Sequence, residues 1–287
     1  MSYYVQVVVL LLLILNLQSF ADDKGHLVII GGGERAPVLL NKISELAGGP
    51  DGKIVIIPAA NSNPLEIALL QRYEFEKTGI GEVKFVLLDN PDSADSDSIL
   101  AILDDASGIF FSGGSQRQLA TALKGTKLLQ RVFEIYKQGG VIAGTSAGAA
   151  VMSKMMITGG EKNSPDSTSK FVSIRSDNIV TMEGFGFLPD VIIDQHFLRR
   201  KRNNRLISLV IENPQLLGIG IDESTAIWVK PDHTFEVIGW NSVMILDAAK
   251  STGINTDNRH NYAVNNMLLH LLTSGQSYDL SARKVIE

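Results

Sequence analysis

The sequence predicts an α/β fold, a parallel sheet with helices on both faces, and three observations predict it. From Gly25 onward, short β-branched runs alternate with stretches of helical period. The runs are almost wholly apolar, without the polar alternation of a strand that has one wet face, so both faces of the sheet are covered. Three glycine turns, Gly31–Gly33, Gly113-Gly114 and the surroundings of Ser146, follow such runs. Sheets of this kind bind ligands beyond the carboxyl ends of their strands.

In chain order, the expected strands of the first half are Leu27–Ile30, Lys53–Pro58, Val83–Leu88, Gly108–Phe111 and Gly140–Ala143. Between them Pro37–Leu46, Pro64–Thr78, Asp97–Leu103 and Gln116–Lys137 carry apolar faces at helical spacing. Ala147 to Met156, rich in Ala and Met, is expected to be a helix. The polar stretch GGEKNSPDSTSKF that follows reads as a surface loop. Val191–Ile193 and Leu217–Ile221 read as further buried strands. Ala226–Val229 and Thr234–Ile238 form a hairpin at Lys230–His233, and Tyr262–Ser274 reads as a closing helix. Neither a repeat nor a low-complexity linker interrupts residues 22–287, which are expected to be one domain.

Composition bounds the function. The 287 residues are 45% hydrophobic and 20% charged, ordinary for a chain with a sizeable core. A net charge of −5 gives no nucleic-acid footprint at the level of the whole chain. With no cysteine there can be no disulfide, no thiol nucleophile and no lipid on Cys. The first 21 residues hold no charged side chain, an apolar run from Val7 to Leu15, and a small-x-small ending at Ser19-Phe20-Ala21. That is the pattern of a cleaved signal peptide, too short in its apolar part for a membrane span, and it places the protein in a secreted or periplasmic location.

Gly144-Thr145-Ser146-Ala147-Gly148 fits G-x-S-x-G, the sharp strand-to-helix turn that exposes a nucleophilic serine. A serine nucleophile needs a base. Of the five histidines, His196 alone ends a buried strand, on the sheet edge expected for Ser146. His26, His233 and His260 sit at a strand start, in a turn and in polar sequence, and His270 reads as a satisfied structural histidine. For the acid that orients the imidazole, Glu223 after Leu217–Ile221 comes first, with Glu161, Asp166 and Asp194 open. The oxyanion donors expected are the backbone N–H groups of Ala147 and of the Gly113-Gly114 turn, Gly114 in particular. The run Gly31–Gly33 followed by Ala36 matches G-x-G-x-x-A, but the second strand ends Pro58-Ala59-Ala60-Asn61 without the acid that a dinucleotide ribose wants. Scattered histidines and the absence of H-E-x-x-H suggest no metal, and no cofactor is expected. Arg199 to Arg205 is a basic cluster at a helix start, where cations oppose the helix dipole, and points to anion recognition.

Taken together, GTSAGA, IIDQHF followed by R-x-R-x-x-R, FSGGSQ and GIGIDESTA resemble the cyanophycinase family, serine peptidases related to aspartyl dipeptidase E. The resemblance runs from about Gly25 to about Val243. It implies a class-I-glutamine-amidotransferase-like fold with a nucleophile elbow. It implies hydrolysis of cyanophycin, a poly-aspartate carrying arginine on each β-carboxyl, to β-aspartyl-arginine dipeptides through an acyl-enzyme. It assigns Ser146 as nucleophile, His196 as base and Glu223 as acid, with Gln116, Asp194, Gln195, Arg200, Arg202 and Arg205 lining the substrate pocket. The dipeptidase branch carries its acid nearer the serine, roughly where Glu161 stands. This chain departs from the pattern at Ser115, where Asp or Asn is expected, and that bears on fine specificity. A related aspartyl or isoaspartyl dipeptidase acting on small peptides is the alternative. A class I amidotransferase proper needs the cysteine that this chain lacks. The partners implied are cyanophycin or a β-aspartyl peptide, with no nucleic acid and no membrane after processing, and a homodimer is compatible with the pattern.

Overall fold

The computed structural model describes residues 25–162 and 171–287; the leader and Asp166 lie outside the described residues. The early strands are four or five residues long and mostly apolar, except the edge strand Glu82–Phe85, which alternates charged and apolar residues. β1 (His26–Ile30), β2 (Lys53–Ile57), β3 (Glu82–Phe85), β4 (Gly108–Phe111) and β5 (Val141–Thr145) pair in parallel in the order β1-β5-β4-β2-β3. Alternate side chains leave opposite faces, because the strand period is two. Leu27, Ile29, Val55, Ile57, Ile109, Phe111 and Ile142 enter one core, while Val28, Ile30, Ile54, Ile56, Phe110, Val141 and Ala143 enter another.

Helices cover both cores. α1 (Pro37–Leu46) and α2 (Pro64–Glu76) lie on the second face, and each begins with proline at its first position, where the missing N–H costs nothing. A short α3 (Asp97–Leu100) precedes α4 (Gln116–Leu123) and α5 (Lys127–Lys137), which pack on the first face. The expected single span Gln116–Lys137 is two helices. It breaks at Gly125, whose φ is +82°, and restarts where the Thr126 side chain accepts from the N–H of Leu129.

Beyond β1 the sheet continues antiparallel through β10 (Thr225–Val229), β11 (Thr234–Gly239), β16 (Ser277–Asp279) and β17 (Lys284–Ile286) to nine strands. A second sheet pairs β8 (Val191–Gln195) in parallel with β9 (Leu217–Ile221), then β12 (Val243–Asp247) and β15 (Leu268–Leu272) antiparallel. α7 (Asn203–Glu212) packs on it through Leu206, Leu209 and Val210. The strand before His196 therefore belongs to a different sheet from the strand before Ser146, not to one shared edge.

Two expected helices are corrected, both by long-range strand pairing that overrides local propensity. After Ser146 the helix α6 lasts only from Ala147 to Ala150, and β6 (Met155–Glu161) then pairs with β7 (Ile179–Glu183). Glu161 thus closes a strand and is not in a loop. Tyr262–Ser274 is not a helix either. β13 (Thr252–Thr256) pairs with β14 (Tyr262–Asn265), the chain turns at Asn266 (φ +59°), and β15 takes the open edge of β12. His270 lies in that strand against Tyr278, and its Nε2 has no hydrogen-bond partner among the described residues. No helix among the described residues is long and apolar enough to cross a membrane.

Candidate active site

The site begins with a strained serine. Ser146 has φ +53° and ψ −105°, a region that a side chain occupies only when its surroundings force it. Two glycines do the forcing. A Cβ on Gly144 would lie 2.4 Å from the Gly148 carbonyl oxygen, and one on Gly148 would lie 2.2 Å from that of Phe111. β5, α6 and β4 can close together only with hydrogen at both positions. The Ser146 N–H donates to Ile30 O at 3.1 Å and anchors the turn to β1.

His196 comes from the second sheet and reaches the first across Gly31–Gly33. Its own N–H donates to Gly31 O at 2.6 Å, and the Ser224 N–H donates to Gly32 O at 2.8 Å. A Cβ on Gly32 would meet the imidazole at 2.4 Å, and one on Gly33 would meet Glu223 Cβ at 2.7 Å. The glycine run that resembles a dinucleotide loop is thus the seat of a histidine and a glutamate. Sequence reasoning missed this use of Gly32 and Gly33. The missing acid after β2 was the available sign that the run served something other than a ribose.

In this seat Ser146 Oγ is 2.9 Å from His196 Nε2, and His196 Nδ1 is 2.6 Å from Glu223 Oε1. The geometry fits the neutral tautomer in which Nδ1–H donates to the carboxylate and Nε2 accepts from the serine. Burial holds the imidazole below its ordinary pKa; its hydrogen bond to the Glu223 carboxylate opposes that, and the cations Arg200 and Arg202 add to the lowering. The ring is therefore unprotonated at neutral pH and able to take a proton. Asn241 Nδ2 donates to Glu223 O at 2.7 Å and fixes the acid's backbone. The other acids are engaged elsewhere: Glu161 accepts from Asn178 at 2.9 Å, and Asp194 is bound to Arg205.

Gly113 lies against the nucleophile, since a Cβ there would be 3.5 Å from Ser146 Cβ, whereas Gly114 (φ +140°) turns toward the Ala60 carbonyl. No hydrogen bond from the N–H groups of Gly113, Gly114 or Ala147 to a protein acceptor is found among the described residues. A cleft of about 130 Å³ opens at Ser146, lined by Gly33, Arg35, Asn61, Gln71, Gly113 and Thr145 among others. Arg35, Asn61 and Gln71 were not singled out in the sequence, because each becomes visible only once α2 is folded over the β1 loop. Arg35 holds its place through a two-pronged ion pair with Glu74, at 2.7 and 2.8 Å. Among the described residues no three His, Asp or Glu side chains converge as metal ligands.

The remaining candidates fall into two groups. Arg200 is exposed near the imidazole, and Arg202 donates to Gln195 O at 2.6 Å and to the Gln195 side chain. Burial, with Arg205 nearby, pushes the Arg202 guanidinium down to about 10, so it stays a cation at neutral pH. Gln116 is nearly buried and donates through Nε2 to Ile157 O at 2.9 Å. Asp194 and Arg205 are deeper. Their side chains are 0% and 1% exposed and form a two-pronged pair, with Arg205 Nε to Asp194 Oδ2 at 2.6 Å and Nη2 to Oδ1. Each satisfies the other, and neither faces the cleft at Ser146. The pair ties the end of β8, just before His196, to α7.

With this geometry in place, the chain matches Peptidase family S51 over residues 27–237. It belongs to that family. Among its relatives, a cyanophycinase of Synechococcus elongatus is 35% identical over 272 residues, covering 92% of this chain and 82% of the relative. A cyanophycinase of Trichormus variabilis is 34% identical over 280 residues, covering 95% and 91%. Among solved structures, a peptidase from an acI-B1 Actinobacterium superposes with a TM-score of 0.67 at 27% identity, covering 91% of this chain and 98% of that one. The S51 chain has the glutamine-amidotransferase-like α/β fold that the sequence predicts, and it is a serine peptidase.

The buried pair makes a stability prediction. Arg205→Ala removes both hydrogen bonds to the buried Asp194 carboxylate, leaves it only the longer contact to Arg202 at 3.9 Å, and should cost up to about 3–5 kcal/mol. Asp194→Leu combined with Arg205→Met should recover most of that loss, because paired apolar replacements remove both desolvation penalties. Urea unfolding of the two variants measures this. A single variant as stable as wild type would show that Arg205 is not the cation the buried Asp194 depends on.

Proposed function

We propose that this S51 peptidase is an exopeptidase that releases β-aspartyl-arginine dipeptides from cyanophycin, outside the cytosol and after loss of residues 1–21. The observation that carries the chemistry is the continuous line from Ser146 Oγ through the His196 imidazole to Glu223, at 2.9 and 2.6 Å. Support for the substrate comes from the relatives named cyanophycinase and from the cations Arg200 and Arg202 beside the base. A polymer with a carboxylate on every branch is what such cations meet best. The uncharged leader supports export, and residues 22–287 act as one domain in this reading.

In the proposed mechanism Nε2 of His196 takes the Ser146 hydroxyl proton as Oγ attacks the scissile carbonyl. The imidazolium that forms is stabilised by Glu223. The developing oxyanion is held by the N–H groups of Ala147 and of the Gly113-Gly114 turn. Collapse breaks the C–N bond while His196 returns the proton to the leaving amine, leaving Oγ acylated. A water deprotonated by the same imidazole then frees the chain. Gln195, Arg200 and Arg202 bind the substrate's carboxylates; Gln116 borders that site, and Asp194 with Arg205 positions His196 from behind.

On purified mature protein, cyanophycin should be solubilised with β-aspartyl-arginine as the main product. Ser146→Ala should lose several orders of magnitude in rate while its unfolding curve stays unchanged. Cleavage confined to small β-aspartyl peptides would turn the reading to the dipeptidase branch. N-terminal sequencing of exported protein should start at or near Asp22, and an intact Met1 would contradict export by cleavage.

The pH dependence follows from the environment of His196. The base acts when neutral, and its lowered pKa places the acid limb of kcat/KM below the ordinary histidine value of about 6.5. Arg200→Gln removes a cation that disfavours the imidazolium, so the folded pKa rises. The neutral fraction at a given acidic pH then falls, and the acid limb moves to higher pH. Because Arg200 is exposed, added salt should shift wild type in the same direction. An acid limb unmoved by both would contradict the electrostatic account.

A further inference from the structure

A second cavity, of about 550 Å³, lies at the carboxyl ends of β2, β3 and β4. Pro58, Val86, Leu88 and Ala122 give it an apolar wall, and the exposed Arg117 and Asn90 also line it. Asn61 lines both this cavity and the cleft at Ser146, so the two lie side by side. Arg117 is exposed at the start of α4 and makes no ion pair among the described residues. It is thus an exposed cation on the lining of a largely apolar pocket, unpaired among the described residues.

Strand order fixes which part of a substrate can reach it. Ser146 follows β5; β1, whose loop seats His196, is on one side of β5, and β4, β2 and β3 are on the other. The leaving amine must take its proton from His196, so the departing unit lies on the imidazole side, beside Arg200 and Arg202. The acylated part must then run the opposite way, across Asn61. The cleft of about 130 Å³ that touches Ser146 takes the unit bearing the scissile carbonyl. The larger cavity is one unit further along.

We infer that the cavity between the ends of β2, β3 and β4 is a subsite for the arginyl branch one unit upstream of the scissile residue, with Arg117 pairing to the α-carboxylate of that branch. The inference rests on the proposed substrate. An arginyl branch has three parts, and each finds a counterpart here. Its three methylenes lie against Pro58, Val86, Leu88 and Ala122, its carboxylate meets Arg117 in a bidentate pair, and its guanidinium faces the amide oxygens of Asn61 and Asn90. Asn61 Oδ1 already accepts the Asn63 N–H at 2.9 Å, which orients that amide, and a second lone pair remains for a ligand. A peptidase with this subsite prefers a chain of at least three units, and one without it treats three units and two alike.

The test compares kcat/KM on synthetic oligomers of two and three β-aspartyl-arginine units. Wild type should favour the three-unit chain. Arg117→Glu should lower the three-to-two-unit ratio about tenfold or more, the range of a charge-assisted contact replaced by repulsion. Arg117→Lys should restore part of it. Thr121→Trp, which fills the cavity from its rim without touching charge, should act in the same direction. An unchanged ratio in Arg117→Glu and Thr121→Trp, with wild-type rates on both oligomers, would overturn the subsite and leave the substrate intact. A wild type that cleaves neither oligomer would overturn both readings together.

Discussion

The close approach of one glycine run to His196 and Glu223 holds the site together. Residues 31–33 sit where the two sheets meet, and each sheet makes a backbone hydrogen bond to them, from His196 N–H and from Ser224 N–H. The ring of His196 fills the space that a Cβ on Gly32 would need. The elbow is referred to the same strand, because the Ser146 N–H donates to Ile30 O. Nucleophile, base and acid thus come from three separate strand ends yet are registered against one short loop. A single added methyl at residue 32 would push the sheets apart at the point where the chemistry requires hydrogen-bond distance.

Electrostatics around this seat pull in two directions. The positive group Arg200 and Arg202 disfavours an imidazolium, and Glu223 favours one. Burial decides the balance at rest and leaves the ring neutral. During attack the forming imidazolium gains the carboxylate 2.6 Å away, which is where a serine peptidase needs stabilisation. The same cations can pair with the α-carboxylates that the substrate displays on its branches, so one cluster lowers the base's pKa and holds ligand in the proposed reading. Arg205 stands apart from that cluster. Sealed against Asp194, it orders the end of β8, and its charge touches the cluster by helping to lower the Arg202 pKa.

Much of the fold was legible because the strands of the main sheet are buried on both faces. Lys53–Ile57 or Gly108–Phe111 can be read as strands without knowing their neighbours. The failures fall where neighbours decide. Met155–Glu161 and Leu268–Leu272 become strands because β7 and β12 offer open edges, and no local pattern announces those partners. Ser146, His196 and Glu223 could be named from the elbow and from the polar residues that end apolar runs. That His196 and Glu223 belong to a second sheet could not, since a strand end looks the same in either. Arg205 was read with its neighbours as part of one basic surface. Its spacing puts it beside Leu206 and Leu209 on the buried side of α7, but only the folded structure shows Asp194 waiting there.

The central claim is that the neutral imidazole of His196 activates Ser146 in its strained turn. The most direct measurement is the rate of covalent labelling by a fluorophosphonate as a function of pH, with the labelled residue located by mass spectrometry of peptides. The account predicts a single adduct on Ser146. Its rate should rise with pH through an apparent pKa below the ordinary histidine value and then level off, and it should fall by orders of magnitude in His196→Ala. An adduct on another serine would contradict the account. So would a labelling rate on Ser146 that ignores both pH and the loss of His196.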